Sequence, residues 1–181
     1  MVFEGQVHVL GDNVDTDVMI PGRHLSIVEP AEMAKHVFEE IDPGFVARVK
    51  PGDIIMAGAN FGSGSGREQA PLGLKALGIS CIVAVSFSRI FYRMAIDLGL
   101  PPLVCAEAVR SATQGERARV DTRTGEIFVG GRRYRTQPLP DLVQDIISEG
   151  GLANWVRSEV ERRRLKQTQP PDGYGKPATR P

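Results

Sequence analysis

Apolar and polar positions change their period several times along this chain, and each change marks an element. Residues Val2 to Leu10 alternate, the pattern of a half-buried strand. The stretch after it, GDNVDTDVMIPGRHLSI, is rich in Gly, Asp and Asn and reads as an ordered loop. From Glu29 to Ile41 the apolar positions Met33, Ala34, Val37, Phe38 and Ile41 recur at helical spacing, which predicts an amphipathic helix ended by Pro43-Gly44. A Pro51-Gly52-Asp53 turn then launches a short apolar strand over 53–57. That strand runs into a glycine-rich turn, and a helix is predicted over 67–78 with Arg67 and Glu68 in its first positions.

Beyond the turn, strand and helix alternate. Cys81 to Val85 is a continuous apolar run of buried-strand type, Arg89 to Leu98 returns to helical period, and Leu103 to Cys105 is a short strand after Pro101-Pro102. Such alternation implies parallel strands joined by crossovers. The texture then changes. Arg117–Asp121, Glu126–Val129 and Arg132–Thr136, separated by TRTG and GG turns, predict a hairpin or meander. Two further helices are predicted near Pro140–Glu149 and Leu152–Leu165, and a Pro- and Gly-rich disordered tail over 166–181. The reading is one α/β domain over 1–165 with a mixed sheet and no internal repeats.

Composition narrows the functions open to this domain. The 22 basic and 22 acidic residues cancel, which argues against nucleic-acid or membrane-surface partners, since both need a basic excess. No segment has the apolar length of a membrane span, and the start lacks the layout of a signal peptide, so a cytoplasmic address is expected. Cys81 and Cys105 each lie in or beside an apolar run and read as buried free thiols. Without CxxC spacing they do not hold an iron–sulfur cluster or a structural zinc by themselves. The histidines His8, His24 and His36 are scattered, so no metal is assigned to this chain, and another chain supplies any that the chemistry needs.

The densest chemistry lies in Gly58 to Gln69, GANFGSGSGREQ. A glycine-rich turn opening a helix leaves backbone N–H groups unpaired, and the helix start adds partial positive charge. Ser63, Ser65 and Arg67 add two hydroxyls and a forked cation, so the corner suits a carboxylate or phosphate. It has neither the GK[ST] ending of a P-loop nor the G-x-G-x-x-G spacing of a dinucleotide fold. The alternative is a tight turn that only packs a helix against a sheet. Asp12-Asn-Val-Asp-Thr-Asp17 lacks the glycine and distal glutamate of a calcium loop, and the plain alternative is a solvated turn. In Ser86 to Arg93, Phe87, Phe91 and Tyr92 read as core aromatics, although the helix start and its arginines also suit an anion.

In this order, GDNVDTDVMIPGR, NFGSGSGRE and SFSRIFYRMAIDLGLPPLVC resemble the small subunit of 3-isopropylmalate dehydratase and homoaconitase, in the aconitase superfamily. The match covers about Val7 to Cys105 and continues to about Leu165. The resemblance implies a swivelling β/β/α domain and a split active site. A large subunit would hold a [4Fe–4S] cluster that binds a hydroxy-dicarboxylate substrate, while this chain closes over the other side. It further implies Ser65 as the catalytic base, Arg67 as the grip on a substrate carboxylate, and Asp17 as the group that orients a partner histidine. Ser63, Gly64, Arg23 and Ser26 complete the implied substrate contacts. Ser26, where homoaconitases place an arginine, speaks for a substrate with an apolar or small group, and Arg23 lies close enough to compensate.

Three positions depart from the family pattern: Gly66 for a second serine, Gln69 for a histidine and Met94 for an asparagine. The implied enzyme is a two-chain hydro-lyase of the 3-isopropylmalate dehydratase type. Its alternatives are a dehydratase for 2,3-dimethylmalate, citramalate or homoaconitate, and a non-catalytic dicarboxylate-binding module of the same fold.

Overall fold

A computed structural model describes residues 1–168, with side chains through residue 165. Strands β1 (Val2–Leu10), β2 (Ile54–Ala57), β3 (Cys81–Ala84), β4 (Pro102–Val104), β5 (Arg117–Asp121), β6 (Glu126–Val129) and β7 (Arg132–Arg135) form one mixed sheet, ordered β4-β3-β2-β1-β5-β6-β7. Strands β1 to β4 pair in parallel, and β5 pairs antiparallel with β1 to begin the predicted meander. The long strand β1 serves both halves. Its Val7 to Leu10 end pairs with β2, and its Val2 to Gln6 end pairs with β5.

The helices are α1 (Thr16–Met19), α2 (Pro30–Ala34), α3 (Phe45–Arg48), α4 (Gln69–Leu77), α5 (Arg89–Asp97), α6 (Ala106–Ser111), α7 (Asp141–Ser148) and α8 (Leu152–Thr168). A 3-10 turn spans Gly22–His24. Alternate residues of β2 and β3 face opposite sides, and both sides are covered, which is why these strands read as unbroken apolar runs. Ile55, Ala57, Ile82 and Ala84 pack under α1, α2, α4 and α5 with Met19, Met33, Leu74 and Phe91. Ile54, Met56, Cys81 and Val83 share the other cluster with Val7, Leu103, Ala108, Val120, Ile127 and Val129. One cluster thus joins residues from both ends of the sheet, and the sheet curls around it.

The predicted helix over 29–41 is corrected. Only α2 is helical, and residues 35–41 form successive turns. Phe38 adopts a left-handed backbone with φ of 57°, donates its N–H to the Met19 carbonyl at 2.9 Å, and meets Phe45 edge-on at 4.8 Å. A single regular helix would not deliver that ring to the core. The loop over 11–27 carries α1 and the 3-10 turn, and α3 and α6 had no counterpart in the sequence reading. Helix α8 continues to Thr168, and the rest of the tail expected over 166–181 lies outside the described residues.

Lys75 on α4 ties the carboxyl ends of two helices. Its Nζ donates to the carbonyls of Leu98, after α5, at 2.6 Å and of Gly150, after α7, at 2.8 Å. Burial lowers its pKa from the ordinary value. The cleft around it, about 350 Å³, holds none of the residues singled out for chemistry. Among the described residues no helix is long and apolar enough to cross a membrane.

Candidate active site

Two loops lie side by side at the carboxyl ends of β1 and β2, where parallel sheets commonly build sites. Gly62 N–H donates to the Val14 carbonyl and Thr16 N–H to the Ser63 carbonyl, each at 2.8 Å, so the loops are stitched in parallel register. The Asp15 carboxylate caps α1 by accepting from the Asp17 and Val18 N–H groups at 2.8 and 2.9 Å. That cap aims the Asp17 side chain toward the glycine-rich loop. Three motifs far apart in sequence meet here, since the Ser88 hydroxyl that caps α5 also donates to the Gly62 carbonyl at 2.5 Å.

Glycine is required at the centre of this corner. Gly62 has φ of 74°, and a Cβ there would stand 2.1 Å from the Phe91 ring. Phe91 packs edge-on against Phe61 at 5.1 Å and parallel to Phe87 at 6.3 Å, as expected for core aromatics. Gly66 has φ of 72°, and a Cβ there would lie 2.8 Å from a methyl group of Ile90. A serine at position 66 would therefore strain the backbone and press on Ile90.

Ser65, Arg67 and Asp17 converge. The Ser65 hydroxyl donates to Asp17 Oδ1 at 2.8 Å, and Arg67 Nε donates to Ser65 Oγ at 3.1 Å. The same Nε lies 3.0 Å from Asp17 Oδ1. Arg67 Nη1 donates to the Ile20 carbonyl at 3.1 Å, which fixes the plane of the guanidinium. Ser65 and Asp17 are exposed, whereas Arg67 is largely covered. No N–H from Gly64 to Gln69 donates to a backbone carbonyl among the described residues, so the loop presents a row of donors beside the cation.

The helix begins later than its sequence suggested. Helix α4 starts at Gln69, because Gly64 and Gly66 both take positive φ and keep Arg67 in the loop. Pro71 sits in the first helical turn, where its missing N–H costs nothing. Ser63 is half-buried and contributes its carbonyl to the stitch, while Gly64 is exposed at the tip.

The loop after α1 holds the other candidates apart from that cluster. Arg23 is paired with Glu39 and Glu40. Ser26 is exposed in the turn after the 3-10 segment. Gln69 Nε2 reaches the Leu25 carbonyl at 3.5 Å, at the outer limit of a hydrogen bond, and with Glu68 it lines one side of a groove of about 250 Å³ whose other walls are Leu25, Ile27, Val28, Met33 and Leu72. Met94 stands one helical turn beyond Ile90 on α5.

Two features escaped sequence reading. The Gly66–Ile90 contact joins residues 24 positions apart that no periodicity links. The histidines are not all scattered, which corrects that expectation. His24 and His36 stack with ring centroids 3.7 Å apart, brought together by the turns that replaced the expected helix. His8 is separate and buried, with Nε2 2.8 Å from Asp53 Oδ2. Both cysteines are free and buried, and burial pushes the Cys81 thiol up to about 12.

Residues 5–108 match the family described as aconitase C-terminal domain. The chain is 46% identical over 164 residues to the 3-isopropylmalate dehydratase small subunit of Caldicellulosiruptor saccharolyticus, covering 90% of this chain and 95% of that one. It is 42% identical to the small subunit of the same name from Thermodesulfovibrio yellowstonii, covering 92% of this chain and 100% of that one. The crystal structure of 3-isopropylmalate dehydratase from Methanocaldococcus jannaschii superposes with a TM-score of 0.86 at 38% identity, covering 92% of this chain and 99% of that one.

Proposed function

The chain belongs to the aconitase C-terminal domain family, and from that membership we propose that it is the small subunit of a two-chain hydro-lyase that isomerises 2- and 3-isopropylmalate by dehydration and rehydration. The observation that carries this reading is the contact of Ser65 with both Asp17 and Arg67 on a loop of open N–H donors.

A serine hydroxyl is a very weak acid, so it removes a C–H proton only where its alkoxide is strongly stabilised. Arg67 donates directly to Ser65 Oγ and favours that form, whereas the Asp17 carboxylate, as acceptor, favours the protonated hydroxyl. The free chain therefore rests with Ser65 protonated. In the assembled enzyme Asp17 turns to a histidine of the large subunit, and Ser65 is left with its cationic neighbour alone. The Nη2 end of Arg67 remains for a substrate carboxylate, and the row of N–H groups meets the charge that builds there as the C–H bond breaks.

A [4Fe–4S] cluster does not fit this chain, whose cysteines are two and buried, in keeping with the family resemblance, which implies that the large subunit would hold it. When bound there, the cluster supplies a Lewis acid for the substrate hydroxyl and one carboxylate. In the loop after α1, Arg23 is neutralised by two carboxylates, and the flanking groove sets Leu25, Ile27, Val28, Met33 and Leu72 beside Glu68 and Gln69 with no cation among the described residues that line it, which supports a branched aliphatic group over a third carboxylate. A cytoplasmic address belongs to the same proposal and accords with two unpaired thiols.

Co-expression with an aconitase-like large chain, followed by dehydration assays on 2-isopropylmalate, 2,3-dimethylmalate, citramalate and homoaconitate, tests the reading. Isopropylmalate turnover only by the pair is expected. A chain that binds dicarboxylates alone, with no turnover in any pairing, would overturn it.

A further inference from the structure

His24, His36 and Glu39 form a cluster that the chemistry above does not use. It joins the end of the 3-10 turn to the turns that follow α2. The two imidazoles stack with planes 16° apart and address one carboxylate from the same side. His24 Nε2 lies 2.6 Å from Glu39 Oε1, and His36 Nδ1 lies 2.7 Å from Glu39 Oε2. The three ligand atoms stand within 4.8 Å of one another, and all three residues are half-buried. It is the one such group of three among the described residues.

The electrostatics around the cluster favour a cation. Both oxygens of the Glu39 carboxylate are turned to the imidazoles, Oε1 to His24 and Oε2 to His36. The neighbouring charges are Arg23, which pairs with Glu39 and Glu40, and Lys35, which pairs with Glu32. Three carboxylates thus face two cations. Arg23 is more than half exposed, so it can transfer wholly to Glu40 at little cost.

We propose that His24, His36 and Glu39 bind one divalent transition ion of the zinc class. Two imidazole nitrogens and a carboxylate suit Zn²⁺, Co²⁺ or Ni²⁺ and are poor ligands for Mg²⁺ or Ca²⁺, which take oxygen shells. The rings are held by stacking and the carboxylate by both of them, so the ion finds its ligands nearly in place. Binding replaces two hydrogen bonds by three coordinate bonds, and the protons on His24 Nε2 and His36 Nδ1 leave to solvent or move to the other nitrogen of each ring. It fastens the segment that follows Ile20, whose carbonyl receives Arg67, to the body of the domain. The occupied site is thus a clasp on the loop that carries Leu25 and Ser26. This inference does not depend on the proposed reaction.

The test uses the untagged full chain, stripped with chelator and titrated with Zn²⁺ by calorimetry and with Co²⁺ by visible absorption near neutral pH. One ion per chain is expected, with a dissociation constant on the order of micromolar. His24→Phe and His36→Phe keep an aromatic stack and remove a ligand, and each should weaken binding by at least about tenfold. Acidification should also release the ion, because protons compete for the ring nitrogens. Zn²⁺ should raise the melting temperature of the natural chain and not of the double variant. His8, Cys81 and Cys105 are buried, so a lost signal has no other imidazole or thiol to explain it. Absence of stoichiometric binding, or unchanged binding in a double variant that keeps its circular dichroism spectrum, would overturn the proposal.

Discussion

The Ser65 hydroxyl donates a hydrogen bond to the Asp17 carboxylate across 2.8 Å, and the Nε of Arg67 lies against both. In the proposed enzyme this carboxylate would restrain the serine in the free chain and be released by assembly. Asp17→Asn should cut turnover of the assembled enzyme by about 10²- to 10⁴-fold, mostly in kcat. The isolated variant should melt within about 0.5 kcal/mol of the natural chain, because the pair lies at the surface. Steady-state dehydration assays and thermal denaturation measure the two effects, and a large stability loss with normal turnover would contradict the assignment.

Ser65→Ala removes the proposed base and leaves the loop intact, so turnover should fall by roughly 10³-fold or more while the two chains still co-purify. Arg67→Lys keeps the charge but loses the planar fork that spans Ser65 and the Ile20 carbonyl. About a hundredfold loss is expected from it. Near-natural rates in either variant, measured on the purified pair, would remove these residues from the chemistry.

Gly62→Ala should destabilise the domain by about 2–4 kcal/mol, since the new methyl group meets Phe91 and the backbone holds a left-handed conformation. Chemical denaturation should show a lower midpoint with an unchanged slope. A neutral result would mean that the corner yields easily, against the tight stitch seen between the two loops.

Asp53 gives the fold an acid limit. Burial alone would raise its pKa, but hydrogen bonds from His8 and from the Lys50 and Gln6 N–H groups outweigh that and hold it below the ordinary carboxylate value. Because the folded value is the lower one, the unfolded chain takes the proton more readily. The stabilisation is therefore complete above the unfolded value, about 4, and is lost as pH falls through the folded one. Asp53→Asn should cost roughly 3 kcal/mol near neutral pH and flatten the stability profile below about pH 4. A profile as steep as that of the natural chain would assign the acid limit to other carboxylates.

How much of this was legible before folding depended on the range of the interaction. Strands β1 to β6 and the helices at α4, α5 and α7 were readable because burial writes its period into neighbouring residues, whereas β7 and α8, both largely exposed, were legible from the turns that bound them. The candidate corner was readable as a cluster because glycines, serines and an arginine sit within a dozen positions. The helix over 29–41 failed because its apolar spacing served a different geometry. Phe38 reaches Phe45 through a left-handed turn, which a periodic pattern does not encode. The same turn set His36 against His24, so one misread element concealed the histidine pair. The Gly66–Ile90 contact was hidden for a simpler reason, since the sequence shows a missing serine but not the methyl group beside it.

Strand β1 is made first and completed last. Its outer half waits for β5, so Gly5 finds Ala118 only after more than a hundred further residues have emerged. Closure across such a distance is slow, and until it happens the N-terminal strand carries an open edge able to recruit a second chain. A fragment ending near residue 108, where the family match stops, would keep that edge permanently. Such a piece would still hold the serine, the arginine and the aspartate, so the part of the meander paired with β1 guards the fold's edge without entering the chemistry proposed for its loops.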